Sequence, residues 1–355
     1  MRKVRGPAKP SGGGGYDGVR GVYFCPHRQK KPRMSASLSI VLPYWLDRPN
    51  LEAVEIARNA DAAGFGALWV GEMMTFDAFA LACVIARETT AIRLVVGPLA
   101  VGVRTPASLA LGMASVRTLG ARDADLALGA SNQLVVTAWH GRNFAHPVAR
   151  MRETVDALRP MLAGERSSAS GTHESSTGFR TAGDPSHATI TVAAFGKRML
   201  ELASAVADRV VVNLVTSEQV ARTKAAIAHA ARAAGRDAPP LAVWVPVAID
   251  PGPAAWQQLA RQLVVYAGAP GYGEMFAEAG FASTVSLARS GAHPREILAA
   301  MPRELMQSIG AVGSADEVRR RLGQYADAGA DEIGIVPVTA DDPAGARLMD
   351  ELRPD

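Results

Sequence analysis

Beyond position 34 the chain repeats one rhythm: a short run of β-branched and aliphatic residues, a turn, an amphipathic stretch with apolar positions three and four apart, then another run. The runs cover 38–43, 66–71, 92–97, 123–129, 189–194, 208–213, 241–249 and 331–338, from LSIVLP to DEIGIVPV, and each reads as a buried strand. The stretches between them read as helices. Several carry start signals: Asn50 behind Pro49, Thr216 with Gln219, and Ser314 with Glu317, the last two spaced as capping boxes. In the first helix Val54, Ala57, Ala60 and Gly64 share a side, and Gly64 suits the C-terminal cap. Eight apolar strands alternating with helices are best accommodated by a closed (β/α)8 barrel, the TIM-barrel architecture, because every strand then has two neighbours and no edge is exposed. An open doubly wound sheet is the alternative.

Two excursions break the rhythm. Residues 164–188 are rich in Ser, Gly and Thr and predict a surface loop. Residues 251–313 predict a helical insertion between the seventh strand and the last helix-strand pair, on the side of a barrel where inserts shape the pocket.

Composition narrows the picture. At 355 residues, 48 % hydrophobic and 20 % charged, the chain has ample material for a large core. Its net charge of +4 is unevenly spread: residues 1–33 hold nine Lys/Arg and one acid, so the remainder is slightly acidic. That leaves no basic footprint for nucleic acid. Residues 1–33 are expected to be a flexible basic tail, or an extension upstream of a true start at Met34, and 34–355 the barrel domain. No apolar run approaches the roughly 20 residues that span a bilayer, and no secretory leader is visible, so a cytoplasmic enzyme is expected. Of the two cysteines, Cys25 lies in the tail and Cys83 in an apolar helix, where burial is the plainer reading. The insertion's apolar helices allow a homodimer.

In a barrel the chemistry lies just past the strand C-termini. Those positions hold Tyr44 and Trp45 after strand one, Glu72 after two, Leu99 to Thr105 after three, Ser131 and Asn132 with Trp139-His140 after four, and Phe195 to Arg198 after five. The set is aromatic and amide-rich, with no His and carboxylate spacing suited to a metal. Gly196 at a strand-to-helix turn brings backbone N–H groups and the positive end of a helix to one point, with Lys197 beside it. An anionic phosphate fits there; solvated first-turn cations are the plain alternative. His140 reads as a packed residue or a proton donor, and Glu72 as solvated, paired or functional.

Several stretches together resemble the bacterial luciferase-like monooxygenase superfamily, and within it the coenzyme F420-dependent oxidoreductases: AVEIARNADAAGFGALWVGEMM, IRLVVGPLAVGVRTPASLALGMASVRTLGARDADLALGAS, ARMRETVDALRPMLAGE, ITVAAFGKRMLELASAVADRVVV and VGSADEVRRRLGQYADAGADEIGIVP. They follow the family order over most of 38–338. The resemblance implies a deazaflavin at the barrel mouth, backed by a non-prolyl cis peptide after strand three. The matching bond is Leu99–Ala100, with Val101 next in the segment. It further implies contacts from Gly129 and Ser131, and a polar tail and phosphate along Ala193, Ala194, Phe195, Gly196 and Lys197. Glu72 matches an acidic residue near the ring, whereas Asn132 stands where some relatives carry a catalytic glutamate, which brings His140 and Glu72 forward as proton donors. Tyr44, Trp45 and Trp139 would wall a small organic substrate. The expected reaction is hydride transfer between deazaflavin C5 and an electrophilic C=C, C=N or C=O. An FMN-dependent monooxygenase using O2 and a non-catalytic cofactor-binding protein are the alternatives.

Overall fold

A computed structural model describes residues 35–354, except 73, 183, 184 and 187; the basic segment 1–33, Cys25 and Met34 lie outside the described residues. The strands are β1 (Ser37–Val41), β2 (Ala67–Val70), β3 (Arg93–Ala100), β4 (Ala124–Gly129), β5 (Ser168–Ser170), β6 (Ser175–Thr177), β7 (Ile190–Ala193), β8 (Arg209–Asn213), β9 (Leu241–Ile249), β10 (Ala311–Gly313) and β11 (Glu332–Pro337). The helices up to the insertion are α1 (Glu52–Ala62), α2 (Ala78–Glu88), α3 (Pro106–Gly120), α4 (Pro147–Leu162), α5 (Lys197–Val206) and α6 (Ser217–Ala233). The insertion holds α7 (Pro253–Ala267), α8 (Tyr272–Phe276), α9 (Ala282–Arg289), α10 (Pro294–Ala299) and α11 (Arg303–Ile309); α12 (Ala315–Asp327) and α13 (Ala346–Glu351) close the chain.

Eight parallel strands pair in the order β1-β2-β3-β4-β7-β8-β9-β11, and β11 returns to β1. The sheet is therefore a closed barrel, and all eight expected strands are present. Three local differences stand out. The loop 164–188 contains the antiparallel hairpin β5-β6, gathered by the Glu153 carboxylate, which accepts from the N–H groups of Thr172, His173 and Glu174. The short β10 pairs with β9 at Val247–Ile249, above the point where β8 ends; three residues are too few to show a period. Helix α1 starts at Glu52 with no side-chain cap, so Asn50 does not serve. The capping boxes at Thr216 and Ser314 form as expected, and Gly64 takes φ +82° past the end of α1.

Strand alternation separates two cores. Ile40, Leu68, Leu94, Leu126, Ile190, Val210, Val243 and Ile333 face the helix ring. Val41, Trp69, Val95, Ala127, Val211, Trp244 and Val336 face inward and are continuous with the apolar side of α7 to α11. The lower barrel is plugged: Arg209 Nη1 bonds Glu332 Oε2 at 2.6 Å and Arg209 Nε bonds Thr191 Oγ1 at 3.0 Å. Glu332 Oε1 accepts from Ser39 Oγ at 2.6 Å and from the Trp69 indole at 2.8 Å. Trp69 and Trp244 meet edge to face at 5.3 Å above this layer.

Candidate active site

Two positions further along the inward faces of Trp69, Val95 and Ala127 lie Gly71, Gly97 and Gly129, and on the next strand Ala193 belongs to the same inner face. Four adjacent strands thus carry only glycine or alanine at this level of the inner face, directly above a packed interior. Each glycine answers a local demand. At Gly97, with φ +122°, a Cβ would lie 2.1 Å from the Ala127 carbonyl, where β3 shifts register between Val96 and Leu99. At Gly71 a Cβ would fall 1.2 Å from the Tyr44 hydroxyl, so the missing side chain admits the Tyr44 ring. At Gly129 a Cβ would lie 3.2 Å from Pro98 Cβ.

The expected cofactor segment divides by direction. Leu99, Val101 and Ala194 are fully buried toward the helix ring, so only their backbone borders the mouth. Ala100 is half-buried and in register with Gly129, whose carbonyl accepts from Val101 N–H at 3.0 Å. The expected cis bond at Leu99–Ala100 is a correction: that bond is not cis, and the cis bond of β3 is Gly97–Pro98. The tertiary amide of an X-Pro bond has a far smaller trans preference than a bond between two ordinary residues.

After β4 the chain makes a wide π-helical turn at Leu134–Trp139, a device common at functional sites. Its buried Val136 sits over Gly102, where a Cβ would approach it to 3.1 Å. Asn132 Oδ1 accepts from Val135 N–H at 3.0 Å and so caps this turn. Ser131, at φ +60°, is exposed, as are Trp139 and, at the end of the turn, His140. Trp45 is buried instead, its indole N–H on the Pro337 carbonyl at 2.8 Å, fastening the end of β1 to the end of β11.

Glu72 is brought into a network that sequence reasoning missed. Arg104 Nε bonds Glu72 Oε2 at 3.2 Å, and the same guanidinium also pairs with Asp77, the N-cap of α2. Arg104 further lies 5.1 Å over the Phe79 ring. Burial alone would raise the Asp77 carboxyl, but the Ala80 N–H and Arg104 together hold it below its ordinary range. The signal was present, since Arg104 sits just beyond β3.

The insertion adds aromatic residues above the mouth. Phe195, after β7, meets Tyr272 at 4.8 Å, and Tyr272 meets Tyr266 at 4.6 Å. Tyr272 also bonds Asn213 at the end of β8, and Tyr266 acts electrostatically on Tyr44. Neither tyrosine was singled out in the sequence, because α7 and α8 follow no barrel strand directly.

At the turn after β7, Gly196 takes φ +73°, and nothing lies within 4 Å of the position a Cβ would occupy. Helix α5 starts there, with Lys197 88 % exposed and only a 4.0 Å contact to Glu201. A separate polar cavity of about 640 Å³ between α6, α11 and α12 is lined by both signs, including Arg222, Arg321, Glu278 and Glu304. Among the described residues no group of His, Cys, Asp and Glu could hold a metal, and no helix is long and apolar enough to cross a membrane.

Comparison with known proteins accords with this arrangement. The family model described as luciferase-like monooxygenase matches residues 19–332. A 5,10-methylenetetrahydromethanopterin reductase of Methanolobus tindarius is 26 % identical over 309 residues, covering 84 % of this chain and 92 % of the relative. The coenzyme F420-dependent tetrahydromethanopterin reductase of Methanopyrus kandleri superposes with a TM-score of 0.75 at 17 % identity, over 90 % of this chain and 98 % of that one. The oxygenating constituent of 3,6-diketocamphane monooxygenase of Pseudomonas putida, solved with FMN, gives 0.67 at 17 % identity, over 90 % and 97 %. With a closed barrel, an open small-residue mouth and a family match across most of its length, the chain belongs to the luciferase-like monooxygenase family and is an oxidoreductase.

Proposed function

We propose that this oxidoreductase binds coenzyme F420 at the barrel mouth and reduces or dehydrogenates a small organic substrate. The observation that carries the reading is the run of Gly71, Gly97, Gly129 and Ala193, which put no side chain larger than a methyl of their own on the inner face, with Tyr44 and Pro98 packed beside them over a filled interior. Bound there, the deazaflavin would supply or accept a hydride at C5.

The chain's own part follows from position. Gly129, Ala193 and the backbone of Leu99 to Val101 would support the ring, and Ser131 borders it. Free backbone N–H groups at Gly196 and the start of α5, with Lys197, suit the phosphate of the cofactor's tail. Phe195 and the tyrosines of the insertion keep water from the mouth. Glu72, paired with Arg104, acts as an orienting acceptor; Asn132 shapes the turn that presents His140 at the rim, which we assign as the proton-carrying group. Tyr44 and Trp139 border the substrate.

The relatives that use F420 support this cofactor, while the FMN-bound monooxygenase on the same fold supports a second reading, reduced FMN with O2. Titration with each cofactor, followed by fluorescence, separates them. F420 is expected to bind at least about tenfold tighter than FMN, a gap of roughly 1.4 kcal/mol, and to turn over without oxygen. Tighter binding of reduced FMN with oxygen-dependent turnover would overturn the proposal.

A further inference from the structure

We infer that the hydroxyls of Tyr44 and Tyr266, with Tyr272 beside them, form a subsite for an uncharged carbonyl oxygen, so that the hydride acceptor is a neutral aldehyde, ketone or enone. The inference rests on the F420 reading and narrows its substrate.

Three elements far apart in sequence bring these groups together. Tyr44 follows β1, and its hydroxyl occupies the space left by Gly71 at the end of β2. Tyr266 ends the long insertion helix α7, and Tyr272 opens α8 against Phe195 and Asn213. Tyr44 thus lies at the β2 side of the mouth and Tyr272 at the β8 side, with the Tyr266 ring packed on Tyr272. Among the described residues no hydrogen bond is made by the Tyr44 or Tyr266 hydroxyl. Both side chains are half-buried at the mouth, so each hydroxyl is free to donate to a ligand oxygen that enters it.

Charge selects what that oxygen belongs to. Burial first, then Tyr266 and Glu72, push the Tyr44 hydroxyl far above the usual phenol range. Burial and Tyr266 do the same to Tyr272 against the opposing bond from Asn213, and burial raises Tyr266. All three stay protonated and donate. The cations nearby are committed: Arg104 lies between Glu72 and Asp77, and Arg289 pairs with Glu274 at 2.5 Å. A carboxylate beside Tyr44 would meet Glu72, whose partner Arg104 is already shared with Asp77, whereas a neutral carbonyl asks only for a donor.

The test uses 4-(dimethylamino)benzaldehyde, a neutral aldehyde whose absorption moves to longer wavelength when its oxygen accepts a hydrogen bond. It is titrated into the full chain with and without oxidised F420, and read by difference spectroscopy. The wild-type protein is expected to shift the band, and Tyr44→Phe and Tyr266→Phe each to weaken binding about tenfold, the magnitude of one hydrogen bond to a neutral acceptor. The anionic match, 4-(dimethylamino)benzoate, is expected to bind the wild type at least about tenfold more weakly. F420 affinity, measured separately, should be unchanged in both variants. An unshifted band, wild-type affinity in both Phe variants, or benzoate binding as tightly as the aldehyde would overturn the inference. Should wild type fail to bind F420, the functional reading falls, while the arm without cofactor still decides the subsite. If one variant does not fold, the other carries the comparison.

Discussion

The two ends of the barrel are built from the same eight strands and solve opposite problems. At the lower end inward positions carry Ser39, Thr191, Arg209 and Glu332, joined side chain to side chain beneath Trp69. At this end Arg209 Nη2 and the Trp244 indole N–H are buried without a partner. At the upper end the inward positions following β2 and on β3, β4 and β7 are Gly71, Gly97, Gly129 and Ala193, and among the described residues the Tyr44 and Tyr266 hydroxyls make no hydrogen bond. One end joins most of its polar groups to one another; the other leaves two hydroxyls free. The contrast agrees with barrels generally, where the face at the strand C-termini carries function and the opposite face carries stability.

The largest effect expected from breaking this division is at the plug. Glu332→Ala leaves Arg209 as an uncompensated buried charge and is expected to lower stability by about 3–5 kcal/mol, read from urea unfolding. Protein that remains folded should bind F420 as the wild type does; a loss of affinity without a loss of stability would erase the division.

Next comes the run of small residues. Gly129→Val adds a side chain facing Pro98 and Ala193, and overpacking of about 1–3 kcal/mol predicts F420 binding weakened roughly 5- to 150-fold. Unchanged cofactor affinity would remove that run from the proposed site.

At the turn after β7, Gly196→Asp and Gly196→Asn impose the same cost on a backbone at φ +73°. They differ only in charge. The Asp variant is expected to bind F420 about tenfold more weakly than the Asn variant at low salt, with the gap narrowing as salt rises. Equal affinities would remove the phosphate from this turn.

The smallest effect concerns the frame around the mouth. Buried Glu52, in the first turn of α1, ties Thr339 and the Ala344 N–H beyond β11 to Arg48. Burial by itself would raise its carboxyl, yet the bonds from Arg48, Ala344 and Thr339 together hold it below the ordinary range. A carboxyl depressed in the folded state contributes stability at neutral pH, and that contribution disappears as pH falls through the folded value. Thermal unfolding followed below about pH 5 should therefore show a steeper decline for wild type than for Glu52→Gln. Parallel curves would assign no such role to Glu52.

What the chain determines by itself is periodic. Each of the eight strand runs, the capping boxes at Thr216 and Ser314, and the turn at Gly64 depend on residues a few positions apart, so their signals survive in one dimension. The position of Gly196 between strand and helix was legible for the same reason. Closure, in contrast, decided everything that depends on direction and distance. Leu99, Val101 and Ala194 turned their side chains outward because alternation in a closed sheet leaves only every second residue at the mouth. Trp45 became a fastener because the ends of β1 and β11 are neighbours only once the ring is shut. Arg104 reached Glu72 and Asp77 across 32 and 27 positions, and the insertion carried Tyr272 onto Phe195. Contacts of that separation leave no period to read; they exist only when the chain has folded and the buried groups must find partners.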